Sequence, residues 1–312
     1  MGVNNAVMTE TIEEGLDEVF YDSYSPEDIP NFANISDVFR EKKSKKHAEY
    51  DLEVRGVGRF RSKGEEEDIF EDDIEEKYKT TYTHVEYANS VPISYAQVQD
   101  QLYGLIEENV GELGDAARDT QFFTAFSIFR NAFSASYLGA DGKALCATDH
   151  PRDFGGVLNN KLTAKLSPTS LEAAIQSLAE QKSHSKRLIP NRPNILLVTP
   201  RLFPLAVQIT GAESIPLSNN AGPNVFSSKY NIFVKQSPYF AAVEGGSDDY
   251  WFLLGKRNKL KRYIRQALMT WVTPWNQSRK MTTFYNAYYR ESYGWSSPIG
   301  IVGSDGTTGS YP

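Results

Sequence analysis

The sequence predicts an α+β fold built around one long helix and a projecting, charged two-stranded hairpin. Three observations carry this. From Ser94 onward, apolar residues recur at three-to-four spacing for about forty residues. Ahead of that run, two strand-like stretches flank a segment whose charge changes sign halfway. Behind it, helical and strand patterns alternate before an aromatic-rich C-terminal third.

The hairpin comes first in the chain. DLEVRGVGRF alternates Leu52, Val54 and Val57 with polar residues, and KYKTTYTHVEY is rich in Thr, Tyr and Val, both strand signatures. Residues 40 to 63 are basic, with Arg40, Lys42, Lys43, Lys45 and Lys46 ahead of Arg55, Arg59, Arg61 and Lys63, whereas Glu65 to Glu76 reads EEEDIFEDDIEE. Two readings are open. The segment is a solvated tip whose like charges repel, or an arm whose halves meet complementary patches on neighbouring copies and so set register. A lone two-stranded hairpin is marginally stable and needs a surface to lie on. The candidate contact residues are Arg55, Arg59, Arg61, Lys63, Glu65, Glu66, Glu67, Asp68, Glu71, Asp72 and Asp73.

In the long amphipathic run, Ser94 stands at the N-cap position, and Val98, Leu102, Leu105, Ile106, Val110, Leu113, Phe122, Phe126, Phe129 and Phe133 share one face. About forty residues of helix would span roughly 60 Å. Gly104, Gly111 and Gly114 weaken the middle, where a bend costs least. The phenylalanine stripe reads as core packing. The loop LGADGKALCATDHP follows, and then SPTSLEAAIQSLAEQ, a helix opened by Ser-Pro with Leu171, Ile175 and Leu178 on one face. NILLVT is a buried strand ahead of a Pro-started helix, and GAESIPLSNNAGPNVFSSKY a polar connection of functional or mobile length. YNIFVKQSPYF, YWFLLGKRNKLKRYIRQALMTWVT and FYNAYYRESYGW read as strands with one mixed element, and GSDGTTGSYP as a tail.

Composition excludes several function classes. At 312 residues, 40% hydrophobic and 23% charged, the chain can bury a sizeable core. One cysteine rules out an internal disulfide framework or a multi-cysteine zinc module, and fits folding in a reducing cytoplasm. A basic flank with an apolar run is lacking at the N-terminus, and no stretch approaches the roughly 18 apolar residues of a bilayer span, so no membrane partner is expected. A net charge of −7 argues against a generally basic, nucleic-acid-binding surface.

Candidate chemistry is thin. Cys146 and His150 share a loop with Asp149, which invites a hydrolase or metal reading. A cysteine nucleophile usually draws its base from elsewhere in the chain, however, and zinc would need further ligands that His47, His84 and His184 stand in no pattern to supply. Asp141-Gly142 and Gly155-Gly156 are turn formers, and His150 before Pro151 is held extended. No phosphate-binding glycine loop, HExxH or GxSxG occurs, so no cofactor is expected. KRNKLKRYIR, from Lys256 to Arg265, is the best nucleic-acid candidate, although its alternation suits a half-exposed strand better.

LGADGKALCATDHP, GGVLNNKLTAKLSPTSLEAAI, NILLVTPRLFPLAVQI and RESYGWSSPIGIVGSDG, in that order and spacing, resemble a tailed-bacteriophage major capsid protein of the Hong Kong 97 type with a Mu-like head-subunit pattern. The resemblance runs from about Phe20 onward. It implies an N-terminal arm (1–48), an extended E-loop (49–90), a peripheral domain with a long spine helix (91–137 and 256–293) and an axial domain (138–255 and 294–312), with LSNNAGPNVF near the hexamer and pentamer centres. It implies a structural protein without catalysis that assembles as pentamers and hexamers into an icosahedral shell around double-stranded DNA. The implied partners are further copies of itself, a separate scaffolding protein, a portal, a decoration protein and nonspecific contact with packaged DNA. Assembly in the bacterial host cytoplasm and a place in the virion follow, with Gly104, Gly111 and Gly114 as flex points of the spine. Some relatives join an E-loop lysine to an asparagine, but no local motif pairs Lys63 with Asn276. The alternatives are a hydrolase using Cys146 and His150, and a self-associating tail or baseplate protein.

Overall fold

The computed structural model describes residues 5–25, 29–72, 75–100, 102–153, 156–211, 214–217, 220–223, 226–274, 282–309 and 311. The chain opens with helix α1 (Asn5–Tyr24), a turn of helix α2 (Ile35–Val38) and strand β1 (Arg40–Lys43). β2 (Ala48–Val54) and β3 (Glu76–Thr83) form the expected antiparallel hairpin, and β4 (Val85–Ser94) leads into α3 (Tyr95–Gln99) and the 28-residue α4 (Tyr103–Arg130). A short ladder of β5 (His150–Pro151) and β6 (Val157–Leu158) precedes β7 (Lys161–Ala164), α5 (Pro168–Ala179), β8 (Pro193–Val198) and α6 (Phe203–Gly211). Then come the small hairpin β9 (Ser214–Leu217) and β10 (Asn220–Pro223), β11 (Phe233–Gln236), β12 (Trp251–Gly255), β13 (Leu260–Thr273), β14 (Thr282–Trp295) and β15 (Ile301–Thr308).

Two sheets organise the body. The first has the order β1-β13-β14-β4, and the second β11-β8-β12-β15-β7. On β8 and β12 successive side chains point to opposite faces, and both faces are buried. Ile195, Leu197, Phe252 and Leu254 enter one core with the end of α4, while Leu196, Val198, Trp251 and Leu253 enter another beneath α5 and α6. A third core joins Leu16 and Phe20 of α1 to Ile106, Val110 and Leu113 of α4 and Tyr285 of β14. Helix α4 therefore touches the first sheet near its start and the second sheet through Phe122, Phe126 and Phe129. The phenylalanine stripe is core, as expected.

Three expectations are corrected. The run from Ser94 is not one helix of about forty residues. Ser94 does cap α3, accepting from the Gln97 amide while the Gln97 side chain returns to the Ser94 amide at 2.9 Å, but that helix stops at Gln99 and a new one starts at Tyr103. At the far end the Asn131 side chain donates to the Ser127 carbonyl at 3.0 Å, competing with the helical ladder just where α4 ends. Second, none of the three C-terminal stretches expected as strands with one mixed element needs that element between Trp251 and Thr273, which is two strands split by a turn at 256–259. Third, the Gly/Ser/Thr-rich segment from Gly303 to Thr308 is not a tail. It lies in β15, inside the second sheet between β12 and β7. Its glycines serve close packing: a Cβ on Gly303 would sit 2.6 Å from the Cys146 sulfur and 2.7 Å from the Phe252 ring.

Candidate assembly interface

The hairpin is anchored at its root and free at its tip. On β2, the Asp51 carboxylate takes the Lys261 ammonium of β13, the Tyr82 hydroxyl at 3.0 Å and the Tyr263 hydroxyl at 3.4 Å. Burial alone would raise this carboxyl, but the Lys261 hydrogen bond and charge, with the Tyr82 bond, hold it below the usual carboxylate range. His84, buried at the end of β3, sits between the Ser44 and Ser292 hydroxyls at 3.1 and 3.0 Å. Glu53 accepts from Ser297 at 2.7 Å and faces the buried pair Arg152 and His184, at 3.8 and 3.4 Å. These groups come from six separate stretches of chain, so no sequence motif announced them.

Beyond the root the two limbs hold each other. The Arg55 amide donates to the Glu75 carbonyl at 2.9 Å, the Gly58 amide to Asp72 at 2.8 Å, and Arg55 and Arg61 pair with Glu75 and Asp72, each at 3.7 Å. Glu67 accepts from the Gly64 amide at 3.0 Å and closes the tip turn, while the Lys63 ammonium donates to the Gly64 carbonyl. Arg59, Lys63, Glu65, Glu66, Asp68 and Glu71 form no ion pair among the described residues. Asp73 lies outside the described residues, as does Asn276. Part of the charge alternation is thus used within the loop. The tip also carries apolar side chains the charge pattern had hidden: Phe60 is 98% exposed and Ile69 81%.

The three glycines differ in setting. Gly104 is exposed and has open space around it, whereas a Cβ on Gly111 would meet Ser23 at 3.1 Å and one on Gly114 the Phe20 carbonyl at 2.5 Å. Gly111 and Gly114 let α1 lie directly on α4. Helix α1 is acidic along its length and lies in the segment expected as an arm.

The Cys146 loop is a structural joint. Cys146 is 1% exposed in the core behind Gly303, and burial pushes its thiol well above the ordinary range. His150 faces Asp141 at 2.6 Å and Asn160 at 3.1 Å, and Asn160 in turn bonds the Leu145 carbonyl and the Ala147 amide. These bonds fix the connection from α4 to β7. Among the described residues no His, Cys, Asp and Glu cluster suits a metal ion. In KRNKLKRYIR, Lys261 is held by Asp51, and Arg262 by Glu291 at 2.7 Å and Glu41 at 2.7 Å, which spends two of its cations inside the subunit. No described helix is long and apolar enough to cross a membrane.

A body of two sheets joined by one helix, with a root-anchored hairpin whose tip is left uncovered, defines a subunit built to lie against others. The chain belongs to the phage capsid protein family, whose sequence profile matches residues 77–303. Among solved structures, it is similar to the capsid of cyanophage P-SCSP1u, with a TM-score of 0.55, 13% identity and 90% of each chain covered. It is similar also to the bacteriophage JBD30 capsid, with a TM-score of 0.54, 15% identity, and 69% of this chain and 94% of that one covered. A virus-like particle from Pyrococcus furiosus matches with a TM-score of 0.51, 10% identity, and 93% and 98% covered. At these identities the likeness shows the fold, which is the Hong Kong 97 type. A search of the curated proteins finds no match.

Proposed function

We propose that this capsid subunit assembles as pentamers and hexamers into a closed icosahedral shell around double-stranded phage DNA, with the hairpin as the E-loop that lies across a neighbouring copy. The exposed Phe60 and Ile69 carry this reading. Large apolar side chains at the end of a projecting limb gain by burial only when another surface covers them. The first sheet with α4 then corresponds to the peripheral domain, the second sheet with α5 and α6 to the axial domain, and residues 1–48 to the arm. A separate scaffolding protein, a portal, a decoration protein and loose contact with packaged DNA are the partners this role brings, in a virion put together in the bacterial cytoplasm. The role needs no catalysis.

Expression of the subunit with its phage's scaffolding protein, followed by sedimentation and electron microscopy, tests the proposal. Closed shells are expected. A species that stays monomeric in every mixture would overturn it, and sixfold rings stacked into open tubes would move the chain to a tail component.

A further inference from the structure

His84 sits where the hairpin leaves the body. Strand β3 ends at Thr83 and forms its ladder with β2, whereas β4 starts at Val85 and forms its ladder with β14. The imidazole between them is 5% exposed, and the two serines it touches are buried as well. Ser44 comes from the turn after β1 and Ser292 from β14, so one side chain ties the exit of the hairpin to two parts of the first sheet.

The hydrogen bonds fix where the ring carries its proton. The Ser44 hydroxyl donates to the Glu49 carboxylate at 2.8 Å, so its oxygen accepts from His84 Nε2 at 3.1 Å. A neutral ring then has a bare Nδ1, which accepts from the Ser292 hydroxyl at 3.0 Å. A second proton must go onto Nδ1, where it meets the Ser292 hydrogen and forces that hydroxyl to turn away. The charges around the ring also oppose it. Arg290 of β14 reaches Glu86 of β4 and His47 of the β1–β2 turn, each at 3.4 Å, and Arg265 of β13 adds a second guanidinium. Glu49 of β2 favours the proton, but it already faces Lys46 at 3.6 Å. Burial first, and then Arg290 and Arg265, set the His84 pKa below the ordinary histidine value against the pull of Glu49.

We propose that His84 is a proton-operated hinge pin: the neutral ring holds the root of the hairpin on the first sheet, and a proton on Nδ1 lets the hairpin swing about His84. The device belongs to the single subunit and does not rest on the shell. Because the folded value is lowered, the contribution of His84 to docking is complete above the ordinary value near 6.5 and is lost as pH falls from there through the folded value. Asp51 acts only further down, below 3.8.

Spin labels on Ile69→Cys and Val207→Cys, both exposed positions, read the swing in the dispersed full-length subunit by pulsed electron resonance, while the buried Cys146 takes no label. One distance is expected at neutral pH, and a several-fold rise in a second, displaced population at about pH 5. His84→Gln can donate and accept as the neutral ring does but binds no proton, so it should keep the neutral-pH distance at both values. The same acid step in that variant, or no step in the wild type, overturns the proposal. A second test leaves His84 in place. Arg265 is exposed, and Arg265→Gln removes a repelling cation, so the His84 imidazole resonance should titrate at higher pH than in the wild type and the displaced population should shrink. An unchanged titration, or a swing whose midpoint does not follow that resonance, also overturns it.

Discussion

Replacing Gly114 by alanine should destabilise the subunit, although alanine is the better helix former. In an exposed helix interior the exchange would gain about 1 kcal/mol. Here the new Cβ would lie 2.5 Å from the Phe20 carbonyl oxygen, where ordinary contact starts at 3.4 Å, and 3.3 Å from both the Ser23 Cβ and the Tyr24 amide nitrogen. Backbone cannot rotate out of the way as a side chain can, so α1 must retreat from α4. Overpacking of this kind costs about 1–3 kcal/mol. Retreat also loosens Leu16 and Phe20, buried to 5% and 0% exposure, whose full burial is worth about 1.5–3 kcal/mol each. The net expectation is a loss of about 1–3 kcal/mol, with α1 the first element released. Gly104→Ala is the matched control: it meets nothing within 4 Å and should stabilise by up to about 1 kcal/mol. Urea unfolding of dispersed subunits gives the free energies, and limited proteolysis reads the release of α1. If the two variants shift stability in the same direction, or Gly114→Ala leaves α1 as protected as before, the close-contact argument is wrong.

Three further outcomes follow from the structure. Because the Asp51 carboxyl is held below its usual range in the folded subunit, its contribution to hairpin docking is present above the unfolded value near 3.8 and is lost as pH falls through the folded one. Asp51→Asn should remove that acid-side step and raise protease cutting between residues 55 and 72 at neutral pH. Cys146, buried with its thiol pushed up, should react with a thiol reagent only as the subunit unfolds, and Cys146→Ala should leave particle yield unchanged. Phe60→Ser should leave the melting temperature of the lone subunit within about a degree, since the ring is 98% exposed, yet lower particle yield several-fold. A large loss of subunit stability would show that the tip is part of the core instead.

The parts of the fold with a simple period were legible in the sequence. The hairpin strands, the Ser-Pro start of α5, the buried strand β8 and the phenylalanine stripe of α4 all follow from alternation, capping and three-to-four spacing. What stayed hidden depends on neighbours distant in the chain. The Gly/Ser/Thr pattern of β15 reads as flexible until Cys146, Phe252 and β7 are placed around it, because its glycines are required by close approach. The break between α3 and α4 has no proline to mark it, and α1 had no visible purpose without the glycines it rests on. In the candidate interface, the charges of the tip could be read from the chain, but the internal pairing of Arg61 with Asp72 and the exposure of Phe60 could not. The Arg152, His184 and Glu53 contact spans more than a hundred residues and leaves no local trace.

The position of β15 also makes closure of the second sheet a long-range event. This strand lies between β12 and β7, and its Ile301 and Val302 enter the cores on opposite faces of the sheet. Gly303 stands beside Lys161 of β7, a pairing across more than a hundred residues of chain. Until β15 arrives, β7 has no strand to lie on and β12 keeps one open edge, so this half of the body closes late and all at once.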